Sequence, residues 1–393
     1  MKTYLCYFIL AIAVFRTGVA QNEQRPPGMV VDHITKDTEI FIGSPSICIL
    51  PDGSYVASHD EFGPKSSEFR SAKTRIFISK DKGKTWTQIA LIDGQFWSNL
   101  FVHNGELFIM GTNKHHGNFI VRKSEDGGYT WTIPYHKTTG LLLEGEYHTA
   151  PMAMLIHNGR IWRALEYATA PTTQWGKRYS AMVISAPVES DLLNADNWQK
   201  TNCLGFDSTY LDRKFGAWLE GNAIVAPDGG IVNILRVAVP KGHEEYAAFV
   251  NISPDGRTAS FNPQTGFVKF PGGSKKFVIR YDEISGRYWM LTNYVSPAFR
   301  DKDPAGVRNE QALCSSNDLK NWDIHRIVLE HPDIIHHGFQ YVDWLFEEDD
   351  IIFVSRTAFD DEGGGAKNNH DANFMTFHRI EDFRKLIGQS IFE

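Results

Sequence analysis

The stretch SKDKGKTWT (residues 79–87) returns further along the chain as SEDGGYTWT (residues 124–132). Both follow the pattern Ser-x-Asp-x-Gly-x-Thr-Trp, and both lie between runs rich in β-branched and aromatic residues. Ser and Asp side chains bond nearby backbone N–H groups and Gly accepts a positive φ, so each copy predicts a tight hairpin turn. We expect each closing tryptophan to fold back over its hairpin, which makes the two turns structural rather than ligand-binding.

A second kind of hairpin, in which a polar or Gly-containing turn joins two apolar strands, occurs six times. Asp-Gly and Asn-Gly turns between apolar alternations are strong hairpin signals. The series reads SICILPDGSYVASHD, NLFVHNGELFIMGTN, MAMLIHNGRIWRALEY, NAIVAPDGGIVNILRV, VIRYDEISGRYWMLTNY and YVDWLFEEDDIIFVSRT.

Weaker echoes of the first kind of turn complete the units in SDLLNADNW, SPDGRTASF, SSNDLKNWD and FHRIEDF. Short strands at regular spacing predict an all-β fold, a single β-propeller of six to seven four-stranded blades, of which six can be counted. The early run MVVDHITKDTEIFI has no hairpin partner of its own. We expect it to supply the outer strand of the last blade and so to close the ring.

Composition and charge exclude several classes of protein. The chain has 393 residues, 42% of them hydrophobic, and a net charge of -7, which implies no basic face for nucleic acid. The chain begins MKTYLCYFILAIAVFRTGVAQ, where a lysine, a short apolar run and small residues predict a signal peptide over residues 1–20. The apolar run is too short to span a membrane. We therefore expect an exported protein, periplasmic or secreted, with one catalytic propeller domain over residues 21–393. Its three remaining cysteines are too few for a disulfide-built scaffold.

The two Ser-x-Asp-x-Gly-x-Thr-Trp turns resemble the Asp-boxes of the sialidase-like β-propellers. The six-unit pattern extends this resemblance over the whole mature chain. The resemblance implies the fold, whereas activity has to be argued from the site.

Propeller geometry selects candidate site residues, because the first strand of each blade leaves the central mouth and the second returns to it. His, Tyr, Arg and Trp dominate these positions and offer proton transfer, cations for an acidic ligand and flat rings for sugar faces. The candidates at strand starts are Trp97, Tyr147, His148, Trp218, Glu220 and His337, and those near strand ends are His59, Asp60, His115, His116, Glu166, Tyr167, Arg236, Tyr294 and Arg356.

Sialidase activity is the first hypothesis to test against the sequence. Sialidases resemble one another at an Arg-Ile-Pro-like start of the first blade, where the arginine opens a triad that grips the sugar carboxylate. In the matching stretch IGSPSICIL, Pro45 fits, but Gly43 stands in place of the arginine. No Tyr–Glu pair for the nucleophile is evident in the sequence either, so we expect a different activity.

A His, Tyr and Arg cluster without an evident pair of catalytic carboxylates suits attack on a uronic acid. Neutralising the uronate carboxylate acidifies its C5 proton, which a Tyr or neutral His can remove while the group on C4 departs. The product is a 4,5-unsaturated sugar, made by a lyase or a dehydratase. We expect Tyr147 to meet the C5 proton, Arg163 to clamp the carboxylate, and His59 or His116 to hold the carboxylate or the departing oxygen, with a milder role for His148.

Two propeller families resemble this chain more than sialidases do. The ulvan lyases pair a Tyr with an Arg and use histidines at the mouth; Tyr147 and Arg163 match that pair, with His115 or His116 in support. The chain departs from them at Trp97, where the second blade offers no histidine. Glycoside hydrolase family 145, described as seven-bladed, comprises rhamnosidases that release L-rhamnose from glucuronate and rely on a histidine, which His59 or His33 could supply.

These resemblances imply an anionic rhamnose–uronate oligosaccharide as substrate, for a monomer with no cofactor, no nucleic acid partner and no membrane span. The alternatives are an α-L-rhamnosidase and a glycan-binding propeller without catalysis. A metal stays open. The adjacent pairs His115–His116 and His336–His337 each offer at most one ligand to a shared site, because neighbouring side chains on a strand point to opposite faces.

Overall fold

Six antiparallel blades follow one another along residues 25–391, the part of the chain that the computed structural model describes. The predicted signal peptide lies outside the described residues. The first three blades and the strand that precedes them contain β1 (Met29–His33), β2 (Phe41–Ile42), β3 (Ser46–Ile49), β4 (Tyr55–Phe62), β5 (Lys73–Ser79), β6 (Thr87–Asp93), β7 (Phe96–His103), β8 (Glu106–Thr112), β9 (Gly117–Ser124), β10 (Leu141–His148), β11 (Leu155–His157), β12 (Arg160–Ala168), β13 (Tyr179–Pro187) and β14 (Gln199–Lys200).

Blades 4 to 6 contain the remaining strands, which are β15 (Ala217–Val225), β16 (Ile231–Ala238), β17 (Tyr246–Ile252), β18 (Ala259–Ser260), β19 (Phe267–Lys269), β20 (Val278–Asp282), β21 (Arg287–Asn293), β22 (Glu310–Ser316), β23 (Asp323–Glu330), β24 (Gly338–Glu347), β25 (Asp350–Ala358) and β26 (Phe374–Ile380). Helical structure within residues 25–391 is limited to α1 (Tyr210–Arg213) and the 3₁₀ turns Lys36–Thr38, Ala195–Asn197, Pro297–Phe299, Pro304–Gly306 and Phe383–Leu386. None of these helices is long and apolar enough to cross a membrane.

The strand pairing confirms the predicted propeller. Each of the six hairpins read from the sequence forms the inner pair of one blade, from β3–β4 to β24–β25. The N-terminal strand β1 pairs with β26, so it is the outer strand of blade 6 and closes the ring as predicted. Strand β10 pairs with β9 at its start and with β12 at its end, which joins blades 2 and 3 into one continuous sheet.

The repeated turns are held by the bonds their residue types predict. In the first, Asp81 Oδ1 accepts from the Thr85 backbone N–H at 2.9 Å, and Trp86 Nε1 donates to the Gly83 carbonyl at 3.1 Å. The second repeats this pattern, with Trp131 Nε1 donating to the Gly128 carbonyl at 2.9 Å. The two turns therefore have the predicted structure.

The hydrophobic core lies between neighbouring blades, and the turn tryptophans belong to it. Trp86 of blade 1 lies 5.6 Å from the ring of Phe377 in blade 6. Trp131 of blade 2 packs against a cluster formed by blades 1 and 2 that includes Ile76 and Ile109. Each tryptophan thus fastens its blade to the preceding one, beyond the hairpin that we expected it to cover.

Three inner strands begin with a bulge that aims a side chain into the central mouth. Trp97, Glu220 and Tyr341 have φ of 51°, 57° and 54°, in the left-handed region that residues other than glycine rarely adopt. The pairing register shifts at the same places in β7, β15 and β24. A bulge of this kind re-aims a side chain that regular alternation would send elsewhere.

Candidate active site

Tyr341 and Glu220 meet at the mouth, brought together from blades 6 and 4. The Tyr341 hydroxyl donates to Glu220 Oε1 at 2.9 Å, and Arg236 Nη1 lies 2.8 Å from Glu220 Oε2. The Glu220 side chain is fully enclosed and Tyr341 is 7% exposed. Burial raises the pKa of Tyr341, so its hydroxyl carries a proton that the adjacent carboxylate can accept.

Three guanidinium groups surround this pair. The guanidinium carbon of Arg356 lies 5.1 Å from the centroid of the Tyr341 ring, and Arg308 Nη1 donates to the side chain of Gln340. Burial lowers the pKa of Arg308 to about 10, and the charges of Arg236 and Arg356 add to this effect. Such repulsion between buried cations favours the binding of an anion among them.

The Tyr–Glu pair corrects the sequence analysis, which found none. Glu220 and Tyr341 are 121 residues apart, and only the ring brings them together. Gly43 stands where sialidases have an arginine, and a Cβ there would lie 2.5 Å from the Asp60 carbonyl oxygen. Blade 1 therefore has no room for a side chain at that position, and Arg356 supplies a guanidinium from blade 6.

A buried His–Glu pair from blade 3 lies next to Glu220 at the mouth. His148 Nδ1 lies 2.7 Å from Glu166 Oε2, and both side chains are fully enclosed. Glu166 Oε1 accepts from the backbone N–H of Gly221, the residue after Glu220, at 3.3 Å. His148 Nε2 has no hydrogen-bond partner within residues 25–391. Burial lowers the pKa of His148 and raises that of Glu166, so the pair shares one proton.

An aromatic wall flanks this pair. Trp175 is 45% exposed, and its ring centroid lies 5.1 Å from that of His148 and 5.5 Å from those of His115 and Tyr179. The Tyr179 hydroxyl lies 2.6 Å from His116 Nδ1. An exposed indole in a polar mouth is suited to stacking against the apolar face of a sugar.

The structure brings eight of the residues selected from the sequence to this mouth, in two clusters. Blades 2 and 3 contribute Trp97, His115, His116, His148 and Glu166, and blades 4 and 6 contribute Glu220, Arg236 and Arg356.

Tyr147 and Tyr167 do not join them. Their rings stack on each other at 4.6 Å, and Tyr147 is 4% exposed in the core between blades 2 and 3. Adjacent residues on a strand face opposite sides, so His148 takes the mouth and Tyr147 takes the core. Gly145 has a φ of 143°, but the bend there does not turn both side chains inward, contrary to what the sequence left open.

Six further candidates lie away from the two clusters. Trp218 packs in the core between blades 3 and 4, and Tyr294 packs against the core between blades 4 and 5. His59 is enclosed, with Nε2 2.8 Å from Asp32, and the buried Asp60 accepts from the hydroxyls of Thr74 and Ser98. Arg163 is buried and bound to Thr149 and Ala150. His337 stacks on His331 at 3.5 Å and lies 3.2 Å from Asp333. No group of three or more potential metal ligands occurs within residues 25–391.

Sequence reasoning missed Tyr341, Arg308, Trp175 and Tyr179. Tyr341 was read as part of a regular strand, and only its bulge turns it to the mouth. Arg308 precedes the third strand of its blade, and Trp175 lies in the loop between β12 and β13, so the rule based on the first two strands selected neither.

No sequence family and no curated protein matches the chain. An α-L-arabinofuranosidase of Fusarium graminearum superposes with a TM-score of 0.60 at 11% identity, covering 92% of this chain and 98% of that one. A leech intramolecular trans-sialidase gives 0.58 at 12% identity over 93% and 72%, and an ulvan lyase of polysaccharide lyase family 25 gives 0.50 at 13% over 88% and 82%. These likenesses show a propeller fold shared by carbohydrate-active enzymes of different chemistries.

Proposed function

We propose that the protein is an exported glycosidase that removes a terminal sugar carrying a carboxylate, of the sialic-acid type. The observation that carries this proposal is the Tyr341–Glu220 hydrogen bond of 2.9 Å beside three arginines. Most glycosidases use two carboxylates, and sialidases are an exception in using a tyrosine nucleophile. The site thus supports the activity that the sequence alone argued against.

The proposed reaction begins with attack by the Tyr341 oxygen on the anomeric carbon. Glu220 takes the phenolic proton as the new C–O bond forms, and the bond to the leaving oxygen breaks. A neutral phenol suits a sugar whose own carboxylate would repel an anionic nucleophile at short range. Water then attacks the same carbon as its bond to the Tyr341 oxygen breaks. Tyr341 recovers its proton from Glu220, and the attacking water gives its second proton to the His148–Glu166 pair, which had protonated the leaving oxygen.

The sugar carboxylate would lie among Arg236, Arg308 and Arg356. Arginine presents a planar fork that matches a carboxylate with two hydrogen bonds, which fixes orientation as well as charge. The leaving oxygen needs a proton, and the His148–Glu166 pair, which lies next to Glu220, holds one.

Elimination from a uronic acid is the second candidate, favoured by the unpartnered Nε2 of His148. Within residues 25–391 no side chain satisfies that atom, so once the pair has released its shared proton, and Nδ1–H donates to the Glu166 carboxylate, Nε2 can accept a C5 proton. In that reaction the same three arginines would neutralise the uronate, and the group on C4 would depart to leave a 4,5-unsaturated sugar. The substrate would then be a rhamnose–uronate oligosaccharide, cleaved by a lyase or altered by a dehydratase.

Incubation with sialyl-oligosaccharides and with rhamnose–uronate oligosaccharides separates the candidates. Hydrolysis releases a free acidic sugar, detected by anion-exchange chromatography, without new ultraviolet absorbance. Elimination produces the absorbance of a conjugated double bond, and release of free rhamnose would indicate a rhamnosidase. Binding with no product in either panel would overturn both catalytic proposals and leave a glycan-binding propeller.

A further inference from the structure

Two buried cations near the centre of the ring contact no carboxylate within residues 25–391. Arg163 is 1% exposed and Lys276 is 2% exposed. Arg163 Nη2 donates to Thr149 Oγ1 at 2.9 Å and to the Ala150 carbonyl, while Nε and Nη1 have no partner among the described residues. Lys276 Nζ donates to the Val342 carbonyl, its one hydrogen bond to residues 25–391.

The two side chains bond carbonyls of the same buried cluster. Ala150 of blade 3 and Val342 of blade 6, whose carbonyls they bond, belong to one buried cluster at the centre of the ring. Burial lowers the pKa of Lys276 to about 7; the Asp343 and Glu220 carboxylates raise it, and the charge of Arg163 lowers it by a smaller amount, so the two cations also act on each other.

The carboxylates nearest to them are already engaged. Asp343 accepts from the Ser46 hydroxyl at 2.7 Å and from the backbone of Ile47 and Trp344, and Arg280 lies 3.4 Å from its other oxygen. Glu166 and Glu220 are bound to His148 and Arg236, as described above. Thus neither Arg163 nor Lys276 has a carboxylate within ion-pair distance among residues 25–391. Glu166 and Asp343 act on Arg163, and Asp343 and Glu220 act on Lys276, only from farther away.

Two unpaired charges cost several kcal/mol to bury, and unbonded guanidinium N–H groups add to that cost. Water would satisfy the unbonded N–H donors but would leave the charges unpaired. A small anion would both accept those hydrogen bonds and offset the positive charge. We propose that the buried centre of the ring binds a small monovalent inorganic anion, for which chloride is the probe, between Arg163 and Lys276. The site adjoins the mouth, since Glu166 acts on Arg163 and Glu220 on Lys276, but it does not depend on the proposed function.

Thermal unfolding of the full chain in sodium chloride tests the proposal, with sodium gluconate added to keep ionic strength constant. A bound anion stabilises the folded state by mass action, so we expect Tm to rise with chloride and to saturate. Bromide should act in the same way. Equal Tm values at all chloride-to-gluconate ratios would overturn the proposal.

Lys276→Met should raise the dissociation constant for chloride by at least about tenfold. Lys385→Met is the matched control, because Lys385 is 75% exposed and pairs with Asp382 on the surface. A chloride response that survives Lys276→Met, or that Lys385→Met also removes, would count against the site.

Crystals soaked in bromide provide a measurement that does not depend on the folding of a variant. We expect an anomalous peak within hydrogen-bond distance of both Arg163 and Lys276. Peaks confined to surface positions would mean an adventitious ion only, and would overturn the assignment.

Discussion

Replacing Tyr341 with phenylalanine removes one oxygen atom from the centre of the proposed reaction. The ring stays beneath the guanidinium of Arg356, which lies 5.1 Å from its centroid, and Glu220 keeps its ion pair with Arg236 at 2.8 Å. We therefore expect KM for the acidic substrate to change little. Loss of the proton-transferring nucleophile should lower kcat by at least about 10²–10⁴-fold, or about 3–5 kcal/mol in activation free energy.

Tyr147→Phe is the matched control for this change. Tyr147 is also buried, and burial raises its pKa to about 12, but it lies in the core between two blades. Steady-state kinetics on the purified variants, with circular dichroism melts to establish folding, make the comparison. Near-normal turnover in Tyr341→Phe together with an inactive Tyr147→Phe would refute the reasoning and restore the mechanism expected from the sequence.

Three further predictions follow from the same geometry. Arg356→Lys should lose more activity on a carboxylate substrate than on its carboxyl-reduced analogue, because an ammonium cannot replace a bidentate fork; equal losses in kcat/KM would contradict the clamp. Trp131→Ala should lower the free energy of unfolding by roughly 2–4 kcal/mol, since the ring is half-buried between blades, and substrate affinity measured by calorimetry should persist. The shared proton of His148 and Glu166 sets a pH dependence. Above the ordinary His pKa of about 6.5 the unfolded chain holds no proton at these two groups while the folded pair retains one, so stability falls as pH rises. Below the ordinary Glu pKa of about 4.3 the unfolded chain holds two, so stability falls again. Chemical denaturation across pH should show a flatter profile in the His148→Gln, Glu166→Gln double variant, and an unchanged profile would refute the shared proton.

The fold could be predicted because its determinants are local. A Gly-containing turn and the apolar alternation on either side lie within about a dozen residues, and each hairpin is specified without the rest of the chain. The N-terminal run has no hairpin partner of its own, which predicted that it closes the ring as the outer strand of the last blade. Strand β1 pairs with β26 as expected. Strand β10 pairs with both blade 2 and blade 3, and this changes only how the two blades are joined.

The site could be predicted only in part, because it depends on which way single side chains point. The alternation of side chains along a strand correctly predicted that Tyr147 and His148 face opposite sides, but the sequence did not indicate which of them faces the mouth. The Tyr–Glu pair was also hard to recognise, because its two residues are far apart in the sequence. Glu220 was selected from its strand position, yet its partner Tyr341 lies 121 residues away in what reads as an ordinary strand.

The bulges that start three alternate inner strands explain why the decisive residues were the hardest to find. A left-handed residue other than glycine costs of order 1–3 kcal/mol, and stability alone would favour glycine at each position. The chain instead has Trp97, Glu220 and Tyr341, each held between regular ladder bonds on either side. Each of these side chains takes part in a contact at the mouth, Trp97 with His148 and Glu220 with Tyr341. At these three positions the strained backbone carries a side chain that glycine would not supply, which points to chemistry at this mouth rather than to a purely structural ring.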